Sequence, residues 1–213
     1  VDCVYVFNRS GTGSKHKKVR ILVGDRNNPK DVTNIPWHDI EFVVDMCLYK
    51  VEQLDPWITQ LKKKNYTFVS SIAAMLDPEE SGFGEYGEQK RLVEEKVRKE
   101  IWKNCIVRPT YVLSSPGLPS PHDRDRYFLD CLYNDVPIQI DGDGTAELTF
   151  IFANDVARTL GMTVFHRWND SLDPKQREVN LACDPITVID LIGLFEKHSK
   201  KKVEFLFNSP DSP

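Results

Sequence analysis

Residues 65–71 are Asn-Tyr-Thr-Phe-Val-Ser-Ser, a short apolar run that ends in two serines. Aromatic and β-branched residues favour extended backbone, so the run predicts a strand over Tyr66–Ser71. A segment rich in Glu, Lys and Arg follows, and its apolar residues recur four apart at Val93, Val97 and Ile101. That spacing predicts a helix over Tyr86–Trp102 with one buried face. A strand followed by such a helix is typical of a βαβ unit.

Further strands are predicted on both sides of this unit. Apolar runs predict them at Val1–Phe7, Val19–Val23, Phe42–Val44 and Cys105–Val107. A helix is predicted between the third and fourth strands by the spacing of Val51, Leu54, Ile58 and Leu61. Short strands that alternate with helices indicate a largely parallel sheet. The predicted fold class is therefore α/β, with a Rossmann-like doubly wound parallel sheet.

The remainder of the chain is less regular. Helical spacing predicts helices over Asp123–Tyr133, Asn154–His166 and Val188–His198. Apolar runs predict strands over Ile138–Ile140 and Glu147–Phe152, with a turn at residues 141–144 between them.

The composition excludes several classes of protein. The formal net charge is −4, so no overall positive charge predicts nucleic-acid binding. No apolar stretch approaches the roughly 20 residues that a membrane-spanning helix needs. The five cysteines include no C-x-x-C pair, so a zinc ribbon or thioredoxin motif is not expected and no metal ligand is assigned. An odd number of cysteines, far apart in the sequence, favours free thiols and therefore a reducing, cytoplasmic setting.

Tyr86 and Lys90 lie one turn apart on the same face of the predicted helix. A free phenol has a pKa of about 10, and a nearby ammonium stabilises the phenolate, so such a pair makes a usable proton-transfer group. Ser71 closes the preceding strand, and ligands of open α/β sheets bind at the carboxyl ends of strands. The alternative interpretation is a surface lysine beside a half-buried tyrosine, with a serine that bonds the local backbone.

The order of these motifs resembles a known superfamily. The matching runs are Asn65–Ser71, Tyr86-x-x-x-Lys90-x-x-x-Glu94, Ile106–Leu113 and Phe150–Ala157. Together they are similar to the extended short-chain dehydrogenase/reductase superfamily, in its NAD-dependent epimerase/dehydratase branch. Within it, Phe7-Asn8-Arg9 and Gly24-Asp25-Arg26 look closest to atypical members. Those members include chloroplast stem-loop RNA-binding proteins and isoflavone-reductase-like proteins.

The resemblance implies a role for each matching residue. Tyr86 would be the catalytic acid/base, Lys90 would hold the nicotinamide ribose, and Ser71 would bind the reacting oxygen. Asn8 and Arg9 would lie at the adenosine ribose. An arginine there pairs with a 2′-phosphate, so the resemblance implies NADP in preference to NAD.

The same resemblance implies further cofactor contacts and a domain division. Asp25 and Arg26 would flank the adenine, and the nicotinamide side would be lined by Pro109, Thr110, Tyr111 and Val112. A dinucleotide-binding domain, incomplete at its N-terminus, is expected over residues 1–115. Residues 116–213 would contribute the last sheet elements and a small C-terminal substrate lobe, with specificity from Pro116–Arg126.

The chain departs from the superfamily pattern at two places. The superfamily has a first strand and a glycine-rich turn, whose helix binds pyrophosphate with its N-terminus. Nothing of this kind precedes Val1–Phe7. If the strand order is 3-2-1-4-5-6, the missing strand is central, and we expect a first βα unit of roughly 30 residues to be absent from this chain. After the strand Phe42–Asp45 the superfamily usually has small residues and a histidine or alanine, and here Met46-Cys47-Leu48-Tyr49 stands instead.

Two classes of function fit these features. One is an NAD(P)-dependent oxidoreductase or epimerase/dehydratase for a hydroxyl- or carbonyl-bearing small molecule, such as a nucleotide sugar. The other is a non-catalytic protein of the same fold that binds RNA or a protein partner, or that senses the cofactor. The net negative charge argues against RNA binding, because contacts to phosphates need clustered Lys and Arg. The resemblance also implies a homodimer formed through the helix that carries Tyr86.

Overall fold

The computed structural model describes residues 3–77, 79, 83–113, 130–168 and 172–208. The chain forms two compact units, the first of residues 1–109 and 157–180 and the second of residues 110–156 and 181–213. The strands of the described residues are β1 (Val4–Asn8), β2 (Val19–Val23), β3 (Phe42–Asp45), β4 (Asn65–Val69), β5 (Asn104–Pro109), β6 (Tyr111–Leu113), β7 (Ile138–Asp141), β8 (Glu147–Leu148), β9 (Phe150–Phe152), β10 (Glu178–Leu181), β11 (Ile186–Thr187) and β12 (Phe205–Asn208). The α-helices are α1 (Pro29–Thr33), α2 (Ile58–Leu61), α3 (Gly84–Glu100), α4 (Ala153–Phe165) and α5 (Val188–Ser199).

The first unit contains two separate sheets. β1 and β2 pair in parallel with each other. β3, β4 and β5 pair in parallel, and β10 lies beside β5, so the order is β10-β5-β4-β3. All five residues of β4 are buried, as expected for a strand inside a covered parallel sheet. In the order 3-2-1-4-5-6 the first strand lies between the second and fourth strands, which correspond to β1 and β3 here. Among the described residues, no strand pairs with both β1 and β3.

One core covers the larger sheet of this unit. The apolar face of α3 supplies Val93 and Val97, Ile101 directly follows the helix, and β4 supplies Tyr66 and Phe68; all five residues are 0% exposed. Aromatic rings extend the core toward the first sheet, because Trp57 packs edge-on against both Phe7 and Trp37. This packing fixes α3 against β4 and so determines where the first turn of α3 lies.

The second unit has its own, smaller core. Within it, β6 pairs with β9, β7 pairs with β12, and β8 pairs with β11. Cys131, Ile138, Ile140 and Ile192 form the core, with Val188, Val203 and Phe205 packed against it.

Several predicted elements differ from the structure. The helix predicted over residues 51–61 is broken into a 3₁₀ turn at Val51–Leu54 and the short α2, because Pro56 between them has no N–H to continue helical hydrogen bonding. The strand predicted over Glu147–Phe152 is two strands, β8 and β9, in different sheets. Four short strands, β6, β10, β11 and β12, were not predicted. The helix predicted over Asp123–Tyr133 begins outside the described residues, of which 130–134 are helical.

Candidate active site

The carboxyl ends of β3 and β4 lie side by side, because the two strands pair in parallel with Asp45 opposite Phe68. Ser71 follows β4 and caps a 3₁₀ turn at Ile72–Met75, where its Oγ accepts a hydrogen bond from the Ala73 amide at 3.3 Å. The hydroxyl therefore holds the local backbone, as the alternative interpretation expects. Ser71 is only partly buried.

The first turn of α3 packs closely on this 3₁₀ turn. Gly87 makes the approach possible, since a Cβ at this position would lie 2.6 Å from the carbonyl oxygen of Ala73. No side chain other than hydrogen fits without movement of one backbone segment. The contact brings the turn that carries Tyr86 and Lys90 against the segment that Ser71 starts.

Lys90 is a buried cation. Its side chain crosses to the carboxyl ends of the two strands, and Nζ donates to the carbonyl oxygens of Leu48 at 2.9 Å and Val69 at 3.3 Å. The residue is 2% exposed. Burial, which disfavours the charged form, lowers the pKa of Lys90 to about 8, although the carboxylate of Asp45 acts in the opposite direction.

Tyr86 lies beside Lys90 and is open to solvent. The centroid of its ring is 5.9 Å from Lys90 Nζ, within reach of a cation–π attraction. Its side chain is 41% exposed, whereas Lys90 is enclosed. The structure thus brings Tyr86 and Lys90 together as the spacing predicts, with Tyr86 open to solvent.

An ionic network links α3 to β5 and β10, and the sequence predicted only one of its contacts. Glu94 on α3 accepts from Ser70 Oγ at 2.6 Å and forms a bidentate pair with Arg108 on β5, at 2.7 and 2.6 Å. Arg108 also pairs with Glu178 at 2.5 Å, and Arg98 pairs with both glutamates. The side-chain bonds to Arg98 and Arg108 lower the pKa of Glu178 to about 2. The Glu94–Arg98 spacing of four was a signal for one of these contacts, whereas no sequence pattern pointed to Glu178.

The residues predicted at the adenosine end lie after β1 and β2. Asn8 organises the loop that follows β1, since its Oδ1 accepts from the Gly11 amide at 2.8 Å and its Nδ2 donates to the Thr12 carbonyl at 2.7 Å. Arg9 is exposed at the carboxyl end of β1. Asp25 accepts from the Asn27 amide at 2.9 Å and so shapes the turn after β2.

Arg26 is bound within the protein. Its two Nη atoms donate to the two carboxylate oxygens of Asp45, each at 2.8 Å, and Tyr66 donates to the same carboxylate at 3.1 Å. The Arg26 carbonyl accepts from Trp57 Nε1 at 2.9 Å, and its guanidinium lies over that ring. The pKa of Arg26 is raised: burial lowers it, but the hydrogen bond and the charge of Asp45 outweigh burial. The pair ties the turn after β2 to the carboxyl end of β3.

The residues predicted on the nicotinamide side are divided between the two units. Pro109 is buried at the end of β5 in the first unit. Thr110, Tyr111 and Val112 belong to the second unit. There the amide and hydroxyl of Thr110 donate to the carbonyl of Leu181, and the ring of Tyr111 packs edge-on against Phe150 at 5.6 Å.

Tyr49 is a site residue that was not assigned a role from the sequence. Its ring centroid lies 4.7 Å from Lys90 Nζ, closer than the ring of Tyr86. The only signal was the departure of Met46–Tyr49 from the superfamily pattern.

In the part of the chain that the structure describes, no group of three or more His, Cys, Asp or Glu side chains is placed to hold a metal ion. None of its helices is both long enough and apolar enough to span a bilayer. The five cysteines are unpaired.

Comparisons with solved structures identify the fold. UDP-glucuronic acid 4-epimerase from Bacillus cereus, in complex with NAD, superimposes with a TM-score of 0.75 at 16% identity, over 98% of this chain and 79% of the epimerase. UDP-glucose 4-epimerase from Thermotoga maritima, with UDP-glucose, superimposes with a TM-score of 0.70 at 15% identity, over 99% of this chain and 79% of the epimerase. dTDP-glucose 4,6-dehydratase from Bacillus anthracis, in complex with NAD, superimposes with a TM-score of 0.67 at 12% identity, over 93% of this chain and 70% of the dehydratase.

Comparisons at the level of sequence give no match: no protein-family model matches the chain, and none of the curated proteins does. The likeness is therefore one of fold, at identities too low to carry an activity across. The chain has the fold of the NAD-dependent epimerases and dehydratases of the extended short-chain dehydrogenase/reductase superfamily.

Proposed function

We propose that this protein is an NAD(P)-dependent oxidoreductase or epimerase/dehydratase that acts on a hydroxyl- or carbonyl-bearing small molecule, and that this molecule is a nucleotide sugar. The observation that carries the proposal is the buried ammonium of Lys90, one helical turn after the half-exposed Tyr86, at the carboxyl ends of β3 and β4. Structural neighbours in complex with NAD and with UDP-glucose support both the cofactor and the class of substrate.

The residues at this end of the sheet fit the nicotinamide half of a dinucleotide. Lys90 gives two of its three protons to backbone carbonyls, which leaves a third donor for a ribose hydroxyl. Bound NAD or NADP would supply hydride transfer. Tyr86 would exchange a proton with the substrate oxygen, the positive charge of Lys90 would stabilise its phenolate, and Ser71 would donate a hydrogen bond to that oxygen.

The cofactor preference is proposed to be NADP. It rests on Arg9, whose exposed guanidinium at the carboxyl end of β1 would pair with a 2′-phosphate, together with Asn8 beside it. Asp25 is proposed to lie near the adenine. Arg26 would act there through its backbone and the stem of its side chain, since its Nη atoms are bound to Asp45.

The remaining proposals concern the whole protein. Pro109, Thr110, Tyr111 and Val112 would line the nicotinamide side, and the C-terminal lobe would select the substrate. The segment Pro116–Arg126, expected to set specificity, lies outside the described residues. A homodimer through α3 and a cytoplasmic location are likewise proposed; the unpaired thiols fit a reducing compartment.

Tyr86→Phe tests the proposed reaction. The variant keeps the ring and removes the hydroxyl, so we expect turnover of UDP-glucose, UDP-glucuronic acid or dTDP-glucose to fall by about 100-fold or more, with cofactor binding unchanged. Turnover is measured with NADP and with NAD in separate assays. Tyr133→Phe is the matched control, because Tyr133 lies in the second unit and is 69% exposed. This variant should turn over the substrate as fast as the wild type does.

Unchanged turnover in Tyr86→Phe would reject the role of its hydroxyl. A wild-type protein that turns over none of these sugars, and that binds RNA with an affinity that falls as salt rises, would favour the binding-protein alternative.

A further inference from the structure

The loop after β3, Met46–Lys50, contains the residues that depart from the superfamily pattern. Leu48 is fully buried in the core, whereas Tyr49 beside it is 51% exposed. A large ring stands where the pattern has small residues, in the loop that follows the carboxyl end of β3. Ligands of open α/β sheets bind at the carboxyl ends of strands.

The loop binds and covers the ammonium of Lys90. Leu48 accepts a hydrogen bond from Lys90 Nζ at 2.9 Å, and the ring of Tyr49 lies over the same atom at 4.7 Å. Phe68 and Tyr86 present rings at 5.0 and 5.9 Å. A cation within about 6 Å of a ring face is attracted to it, and the attraction grows when water is excluded. Tyr49 has the nearest of the three rings.

The backbone of Tyr49 is itself held in place. Gln53 Oε1 accepts from the Tyr49 amide at 3.0 Å and from the Lys50 amide at 3.1 Å. At the other end of the loop, Asp45 accepts from the Cys47 amide at 3.1 Å. The ring is therefore carried by a loop that is fastened on both sides, as a positioning group requires.

We propose that Tyr49 is a positioning residue for Lys90, whose ring holds the ammonium at the first turn of α3 and keeps water from it. The role rests on the proposed function, since Lys90 is the residue proposed to hold the cofactor and stabilise the Tyr86 phenolate. The ring is the active part of Tyr49, and its hydroxyl transfers no proton to the substrate.

The other charged and titratable groups around Lys90 come from different elements. Asp45 and Cys47 face it from β3 and its loop, Arg26 from the turn after β2, and Glu94 from the next turn of α3. Substitution of Tyr49 changes none of these four side chains. Loss of the ring would lower the pKa of Lys90 by removing a cation–π attraction and would raise it by admitting water. Burial is the largest influence on this pKa, so we expect the rise to prevail.

The test measures Lys90 directly, without substrate. The wild type, Tyr49→Phe and Tyr49→Ala are labelled with acetic anhydride across a pH series, and the labelled fraction of each lysine is read by peptide mass spectrometry. Only the neutral amine reacts, so the midpoint of the curve reports the pKa of that lysine. The midpoint is used rather than the rate, because removal of the ring also changes access. The exposed Lys17 in the same samples is the internal control and should give one curve in all three proteins.

We expect a midpoint at about pH 8 for Lys90 in the wild type and the same midpoint in Tyr49→Phe. In Tyr49→Ala the midpoint should rise by about one unit or more, which means about a tenfold change in the protonation constant. An unchanged midpoint in Tyr49→Ala would overturn the proposal. An equal rise in Tyr49→Phe would also overturn it, because the hydroxyl rather than the ring would then be responsible.

Turnover gives a second readout. Tyr49→Phe should keep wild-type turnover, whereas Tyr86→Phe should lose it; a loss in Tyr49→Phe would assign proton transfer to Tyr49 and contradict a positioning role. The labelling curves require no substrate, so they test Tyr49 even if the proposed reaction is rejected.

Discussion

At the scale of single residues, Lys90 is a lysine whose side chain is almost fully buried, at 2% exposure. Its ammonium is enclosed by two carbonyl oxygens and three aromatic rings, and it has no carboxylate in direct contact among the described residues. A buried charge without an ion-pair partner lowers the stability of the fold. Such a residue is more readily explained by a functional demand than by stability.

Comparison of the wild type with Lys90→Met tests this charge. The folded-state pKa of Lys90 is about 8 against an ordinary value of 10.5, so between these values the unfolded chain binds more protons than the folded one. The free energy of unfolding of the wild type relative to Lys90→Met should therefore rise with pH in this window, by at most on the order of 3 kcal/mol. Below the window the difference should be constant. Urea unfolding of both proteins at matched pH values measures the difference, and groups common to both cancel. A difference that stays constant across the window would show that Lys90 titrates as a solvated lysine.

The sequence predicted some residues of the site and not others, for a physical reason. Tyr86 and Lys90 are four residues apart on one helix, so their proximity follows from helix geometry alone. The pair between Arg26 and Asp45 joins residues 19 apart in the chain. Its formation depends on how two loops meet after folding, and no local pattern encodes that.

At the scale of elements, α3 is held against the sheet by both apolar and ionic contacts. Glu94 and Arg108 are 3% and 5% exposed, and they join the middle of the helix to β5. A buried ion pair of this kind adds little net stability over an apolar pair, but loss of one partner leaves a buried charge. The network therefore acts chiefly to fix the position of α3 along the strands.

Gly87→Ala tests the close approach of α3 to the 3₁₀ turn at residues 72–75. Alanine normally stabilises a helix by up to about 1 kcal/mol relative to glycine. Here its Cβ would meet the Ala73 carbonyl at 2.6 Å, so we expect a loss of about 1–3 kcal/mol in the free energy of unfolding. Gly161→Ala in α4 of the same unit is the matched control, since its Cβ would make ordinary contact at 3.7 Å with Phe165. Urea unfolding measures both variants. An equal increase in the free energy of unfolding of the two would mean that α3 does not approach the turn so closely.

The predicted elements that proved correct are those with a strong local pattern. α3 has three apolar residues at helical spacing, and β4 is a short apolar run between polar residues. The strands that were missed, such as β11 with two residues and β6 with three, are too short to show a period. They exist because neighbouring strands supply hydrogen bonds, which a single segment cannot reveal.

At the scale of the whole molecule, the sequence predicted the architecture because the βαβ order fixes parallel pairing. Parallel pairing of β3, β4 and β5 agrees with that prediction, as do the solved epimerase and dehydratase structures. Among the described residues, β1 and β2 pair with each other and with no strand of the larger sheet.

The most direct test of the central claim is calorimetric titration of NADP and NAD into the wild type, Lys90→Met and Tyr86→Phe. We expect the wild type and Tyr86→Phe to bind the cofactor equally and Lys90→Met to bind at least about tenfold more weakly, the equivalent of about 1.4 kcal/mol. NADP should bind more tightly than NAD if Arg9 meets a 2′-phosphate. Equal binding by the wild type and Lys90→Met, or no binding of either cofactor by the wild type, would contradict a dinucleotide site at Ser71, Tyr86 and Lys90.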